Sequence, residues 1–551
     1  MNEENNFCNL SLYISKIAKE DPRKIAIRYP IKMSDEGVIE YAYLNFIGLE
    51  DHINSYANGL KSIGVEPGMR VAFMIKPNLE FLPLIYALFK LGAVPVLIDP
   101  GMGKQNLLDC VKNTEPHVFI GIPKANLARL VYRKYFKSVK IVVTTGPEKL
   151  FSGHSLKGIF KSGSFPEAKT SVDDPAAIIF TTGSTGPPKG VCYTHGMFEA
   201  QRQAMIDSFG VSSDDIDMPA FALFSIFTLS IGCTIIIPEM DQTKPAEVDP
   251  KNIINAIMQN DVSFSFGSPA LWNTVSLYCV ENEVELPPLK RVIMAGAPIP
   301  AYLHKRMFDT ILPGDSNIFT PYGATEALPV SCYTGVDVLQ ETAELTSQGN
   351  GYCVGPPIDG LEVIIIRVSD DIIEYIEDAE ILQSGIGEII VKGPNVSREY
   401  YKMADKTAEH KIYFDESKDV FWHRIGDLGF IDEEGRIWMC GRKTHRVVNG
   451  EETLYTVCCE AITNNHPAVF RSALVGLGAN RYQQLPVLIV EPEPGQKIDI
   501  REVEELAKSH RITNCINHFL IHPSFPVDIR HNAKIFREQL AEWAAKELKI
   551  N

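Results

Sequence analysis

Residues 178–195 read IIFTTGSTGPPKGVCYTH. Ile178, Ile179 and Phe180 have the character of a buried strand end. Thr181, Thr182, Gly183, Ser184, Thr185 and Gly186 follow without one bulky side chain. Glycines let backbone N–H groups approach an anion, and the hydroxyls add donors. Lys189 brings a point charge of the kind that binds phosphate. The chemistry implied is polyphosphate binding. The spacing is not the G-x-x-x-x-G-K-[ST] of the P-loop NTPases, because this lysine follows Pro187-Pro188 and precedes Gly190. A Gly/Ser-rich run can also be a plain linker. The strand before it, the two prolines and the lysine argue for a phosphate loop.

A second cluster is Pro321-Tyr322-Gly323-Ala324-Thr325-Glu326. Tyr322 could stack on an aromatic base, Thr325 could bond a phosphate, and Glu326 could help hold Mg²⁺ through oxygen. Taken alone it reads equally as a tight turn. Further along stand Trp422-His423-Arg424-Ile425-Gly426-Asp427-Leu428-Gly429, then Gly441-Arg442, then the run 525–537, FPVDIRHNAKIFR, with Lys534 in it.

In this order the runs resemble the motifs of the adenylate-forming superfamily: acyl-CoA synthetases, luciferases and peptide-synthetase adenylation domains. The resemblance covers nearly the whole chain and implies ATP and Mg²⁺ as cofactors. It implies that Gly296, Ala297 and Pro298 line the adenine and acyl pockets. It makes Asp427 the acceptor of both ribose hydroxyls, which one carboxylate can manage. Arg442 would contact ribose or phosphate, Thr444 would be the hinge of a domain rotation, and Lys534 would be the catalytic lysine. A cation there offsets the repulsion between a carboxylate and the α-phosphate it attacks.

The same runs, with PAFALF at 219–224 and Ile98-Asp99-Pro100-Gly101, look most like one branch, the β-lactone synthetases of bacterial olefin biosynthesis. The resemblance implies a 2-alkyl-3-hydroxy fatty acid as substrate. Its carboxylate is adenylated, and its own hydroxyl then displaces AMP. Phe221 and Phe224 fall where relatives carry residues near the acyl carboxylate, and an apolar wall there suits an alkyl chain. Core packing explains them equally well. His195 and His423 are candidate bases only as titratable groups; for His423 a structural role is the stronger reading. Acyl-CoA ligases carry Gly-Arg-x-Asp-x-x-(Ile/Val)-Lys-x-x-Gly at their thiol tunnel. Here the run is Gly441-Arg442-Lys443-Thr444-His445-Arg446-Val447-Val448-Asn449-Gly450, which lacks the acid and the lysine and brings the glycine one residue early. Coenzyme A therefore stays an open alternative, through a long- or medium-chain fatty acyl-CoA ligase, as does a fatty acyl-AMP ligase.

The elements that must position these residues alternate. Residues 49–63 and 81–91 have helical spacing, stopped at Gly64 and Gly92; residues 71–75 and 94–98 are continuous apolar strands. Such alternation predicts an α/β fold of mostly parallel sheets. Past residue 360 strands and turns dominate. The fold expected by resemblance is a large domain, 1–441, of stacked sheets with helices plus a distorted β-barrel, and a small mobile α+β domain, 442–551. Helices are expected near 453–463, 501–509 and 535–548. The acidic run 369–380 reads as a solvated hairpin tip.

Of the 551 residues, 45% are hydrophobic and 22% charged, an ordinary globular balance. A net charge of −16 argues against a nucleic-acid partner. The eleven cysteines contain no C-x-x-C and point to free thiols in a reducing compartment. The start, MNEENNF, lacks a signal-peptide pattern, so a cytoplasmic protein is expected. Residues 218–238 form a stretch of 21 without charge, but Pro219 and Gly232 break it into a helix and a strand of a buried core. A shallow membrane contact and pathway-enzyme partners stay open.

Overall fold

The computed structural model describes residues 7–34, 36–146, 153–181, 187–450, 452–527 and 534–550. Two large sheets dominate. One has seven strands in the order His154–Ser155, Ile141–Thr144, Val118–Gly121, Arg70–Met74, Val94–Ile98, Pro175–Thr181, Lys189–Thr194. Its pairings are parallel except the last, which is antiparallel. The other has eight strands, parallel through its middle and antiparallel at both edges. The mostly parallel sheets expected from the sequence are thus present.

Parallel strands need helical crossovers, and those helices must bury apolar faces. Helix Phe81–Leu91 is the extreme case, with every residue buried. It ends at Gly92, whose φ of 76° is left-handed and suits glycine. One apolar cluster runs through this helix, helices Phe46–Ser62 and His195–Asp207, and strands of both sheets. Lys90 is 2% exposed inside it, and its ammonium meets Glu50 at 2.6 Å and Glu167 at 3.1 Å. Two partners are what a buried ammonium requires.

The uncharged stretch 218–238 divides as expected. Strand Ile216–Pro219 leads to helix Ser225–Ile231, which ends at Gly232, and strand Thr234–Ile236 follows. Among the described residues no helix is long and apolar enough to cross a membrane.

Asp217 on the first of these strands is 1% exposed. Thr228 donates to its Oδ2 at 2.6 Å, and Oδ1 has no partner among the described residues. Burial, aided by Asp215, pushes its carboxyl up to about 7. The folded chain therefore holds a proton that the unfolded chain loses near pH 4. Stability from this group is full below about pH 4 and is lost as pH rises through about 7. Asp217→Asn is expected to be more stable than wild type at about pH 8, by a few kcal/mol at most, and close to it at about pH 4. Parallel melting curves across that range would contradict the reading.

Residues 352–442 form a six-stranded antiparallel sheet where the distorted barrel was expected: Tyr352–Gly355, Ile437–Arg442, Phe421–Ile431, Gly387–Lys392, Glu362–Ile366, with Lys411–Tyr413 on Phe421–Ile431. Beyond it, a three-stranded sheet and helices Thr456–Thr463, Ile500–Ser509 and Arg537–Glu547 enclose two apolar clusters drawn only from residues 447–550. The three helices lie where the sequence put them.

The acidic run 369–380 differs from expectation. It does bridge two hairpin strands, but its root is docked rather than solvated. Asp370 takes Arg446 at 2.7 Å and Arg481 at 3.1 Å, and Asp371 gives its carbonyl to Arg424 at 2.8 Å. The sequence shows the charges of the run without their partners, which stand more than 50 positions away. All eleven cysteines are free thiols.

Candidate active site

The hairpin that carries the glycine loop brings Thr181 and Lys189 opposite each other as a cross-strand pair. Thr182, Gly183, Ser184, Thr185 and Gly186 lie outside the described residues, as do residues 528–533 near Lys534. Lys189 Nζ stands 2.9 Å from His410 Nε2 and 4.8 Å over the Tyr400 ring. Burial holds its pKa below the usual lysine value.

Strand Asn317–Ala324 delivers the second cluster and turns back at Thr325 and Glu326 into strand Ala327–Thr334. Gly323 is required there, because a Cβ would meet the Ala327 carbonyl oxygen at 2.5 Å. The turn is braced twice. Tyr193 donates its hydroxyl to the Thr325 carbonyl at 2.5 Å, and Tyr400 donates to Glu326 Oε1 at 2.6 Å.

Asp427 and Arg442 are opposed on neighbouring strands. Arg442 Nε lies 3.0 Å from Asp427 Oδ1, and Tyr322 donates its hydroxyl to Oδ2 at 2.7 Å. Burial first, and Asp427 next, push the Tyr322 phenol well above its usual range. Asp427 raises Arg442 further.

One cavity of about 460 Å³ gathers most of these groups. At its polar end are Lys189, Thr325, Glu326, Arg442, Thr444 and Lys534. Gly296, at φ 96°, and Gly323 also line it, whereas Ala297, Pro298, Tyr322 and Asp427 do not. Its other end is aromatic. Phe224 stacks on Phe266 with centroids 4.0 Å apart, and Phe221 lies 5.7 Å from Phe224. Both phenylalanines form wall, and Phe224 also packs against the main apolar cluster. Three cations and one carboxylate at the polar end make a focused positive site suited to a polyphosphate.

Neither candidate base reaches this cavity. His195 is 2% exposed, and burial lowers its pKa to about 4. His423 is 1% exposed and faces the buried ammonium of Lys411 at 3.0 Å, a structural position. Burial lowers Lys411 to about 7. The histidine that does line the cavity is His410, which the sequence reading missed. Its Nδ1 sits 3.0 Å from the Arg424 carbonyl, which can only accept, so Nδ1 carries the proton. Nε2 is then the acceptor for Lys189, and burial lowers the ring to about 4. Tyr400 was missed as well. Both lie in residues 395–412, a stretch whose only local signal is its aromatic and charged composition.

Lys443, beside Arg442, is tied to a buried pair. Its Nζ is 3.1 Å from Glu388, which also takes Arg424 at 2.6 Å. In the run 441–450, Val448 is buried on strand Val447–Asn449.

The model of the AMP-binding enzyme family matches residues 14–401. The chain belongs to the AMP-binding enzymes. It is 41% identical over 554 residues to the olefin beta-lactone synthetase of Stenotrophomonas maltophilia, covering 98% of this chain and 99% of that one. Among solved structures, the amide bond synthetase McbA of Marinactinospora thermotolerans superposes with a TM-score of 0.77 at 20% identity, covering 97% and 99% of the two chains. The o-succinylbenzoate CoA synthetase of Bacillus subtilis, in complex with an acyl-adenylate intermediate, gives 0.74 at 19% identity over 96% and 97%. At that identity the two structures speak for the fold. Like other AMP-binding enzymes, this chain is an adenylate-forming ligase.

Proposed function

We propose that the chain activates a long-chain 3-hydroxy fatty acid with ATP and closes the acyl-adenylate to a β-lactone. The observation that carries this is the single cavity that joins an aromatic slot to a cationic end. Full-length similarity to an olefin beta-lactone synthetase supports the second step.

In the first step a carboxylate oxygen attacks the α-phosphorus and pyrophosphate leaves. Two anions meet, so Lys534, Arg442 and Lys189 offset charge as it moves to the leaving group. Glu326 offers a hard oxygen donor for Mg²⁺, and Thr325 a hydroxyl beside it. No cluster of three metal-ligating side chains occurs among the described residues. Mg²⁺ keeps waters and substrate phosphates around one or two carboxylates, so Glu326 and the ATP phosphates would hold it. The ion neutralises phosphate charge when bound. Asp427 serves the ribose by exchanging its bonds to Tyr322 and Arg442 for hydroxyls. In the second step the 3-hydroxyl oxygen bonds to the acyl carbon, its proton departs to solvent, and the bond to the AMP oxygen breaks. Nucleophile and electrophile share one molecule, which supplies the proximity a bound thiol would otherwise provide.

The unit 442–551 is proposed to turn about Thr444, with its boundary at 441/442. Coenzyme A is not needed in this scheme, in keeping with Val448 in place of the ligase lysine. The test is AMP release without coenzyme A. The hydroxy acid is expected to turn over many times. A plain acid of equal length is expected to stop after about one AMP-equivalent of bound acyl-adenylate per enzyme. Turnover of the plain acid only on addition of coenzyme A would make the chain an acyl-CoA ligase.

A further inference from the structure

Two amides line the cavity, and each has one hydrogen-bonding atom left over. Gln201, on helix His195–Asp207, is 5% exposed. Its Nε2 donates to the Leu328 carbonyl at 2.9 Å, which fixes the orientation of the amide. Its Oε1 is buried without a partner among the described residues. Gln242, beyond strand Thr234–Ile236, accepts from the Ala222 N–H at 3.0 Å through Oε1 and leaves Nε2 without a partner. Both residues line the cavity. Buried polar atoms are almost always paired in folded proteins, so an acceptor left unpaired on a residue that lines a cavity points to a donor on a ligand.

The two amides stand at different places. Leu328, which Gln201 holds, follows the turn of Thr325 and Glu326 by two residues, and the same turn is bonded by Tyr193. Of the two amides, Gln201 is the one tied to the segment that carries Thr325 and Glu326. Gln242 is held beside Phe221, among the aromatic rings. An alkyl chain has no donor for either. A hydroxyl close to the acyl carbon has one.

We propose that Gln201 Oε1 accepts a hydrogen bond from the 3-hydroxyl of the acid and is the residue that selects hydroxy acids. This rests on the hydroxy-acid reading above. A hydroxyl that gives its hydrogen to the amide turns its lone pairs elsewhere, toward the acyl carbon it must attack. A plain acid leaves the amide oxygen buried and unpaired, and sites built around such a bond reject the analogue that lacks it.

The test compares two acids in one preparation: a 2-alkyl-3-hydroxy fatty acid and the 2-alkyl acid of the same length. The single-turnover rate of pyrophosphate release is followed against acid concentration, giving an apparent second-order rate constant for each acid with wild type, Gln201→Leu, Gln201→Met and Gln242→Leu. The ratio of the two acids is independent of how much of a variant is folded. Wild type is expected to prefer the hydroxy acid by about 10²-fold or more. Both Gln201 variants should lose most of that preference, by raising the half-saturating concentration of the hydroxy acid and lowering that of the plain one. Gln242→Leu should keep it. A wild-type ratio in the Gln201 variants, or a collapsed ratio in Gln242→Leu, overturns the assignment. Wild type without a preference overturns the hydroxy-acid reading itself, and the role of Gln201 with it.

Discussion

Lys534→Ala is expected to lower the rate of pyrophosphate release by about 10²–10³-fold while leaving ATP affinity nearly unchanged. Lys534 reaches the cavity from the C-terminal segment, and Lys189, Glu326 and Arg442 reach it from elements before residue 443. On the proposed reading, the groups that hold the nucleotide are thus left in place by the substitution. On the proposed mechanism, what is lost is a cation beside the α-phosphate, and that loss matters most when the carboxylate arrives. An interaction made mainly in the transition state lowers kcat with little change in KM. Single-turnover release of pyrophosphate, paired with ATP binding by calorimetry, separates the two effects. Normal release by the variant would remove Lys534 from the chemistry. A parallel loss of ATP binding would make it a binding residue instead.

Glu388→Ala is expected to destabilise the fold by about 3–5 kcal/mol. Glu388 and Arg424 are 0% and 2% exposed, and Lys443 leans on the same carboxylate from a side chain 17% exposed. Removing the acid leaves a guanidinium buried without its counter-charge, and that penalty, rather than the lost attraction, sets the size of the effect. Arg424→Met in the same chain should recover part of it, because the two changes share one pair. Urea denaturation of the single and double variants checks both statements. A single variant as stable as wild type would show that water reaches Arg424. The pair also matters for the site. Lys443 stands between Arg442 and Thr444, so its tie to Glu388 helps hold both at the cavity.

Much of this was legible in the chain because the chemistry is local. A glycine loop, Y-G-A-T-E, G-D-L-G and Lys534 each state a donor set within a few residues, and the strand and helix periods around them give the sheets. The cavity returns Lys189, Thr325, Glu326, Arg442 and Lys534 together, with Phe221 and Phe224 at its far end. What stayed hidden depends on contacts across long stretches of chain. His410 meets Lys189 from 221 positions away, and Tyr400 meets Glu326 from 74. Gln201 looks like any polar residue of an amphipathic helix until its oxygen is found buried and alone. Asp370 belonged to a run whose composition says solvent, and Arg446 and Arg481 override that composition. His195 and His423 failed for the converse reason: a titratable residue type carries no information about whether it faces a cavity or the core.

The most direct test of lactone formation is an isotope measurement. A 2-alkyl-3-hydroxy fatty acid labelled with ¹⁸O in both carboxyl oxygens is incubated with the protein, ATP and Mg²⁺, without coenzyme A, and the products are read by mass spectrometry. Adenylation followed by ring closure sends one label into AMP and keeps the other in the lactone carbonyl, with the ring oxygen unlabelled. Recovery of the acid with label in AMP but no lactone would mean that water, not the hydroxyl, takes the acyl group. Unlabelled AMP would contradict acyl-adenylate formation itself.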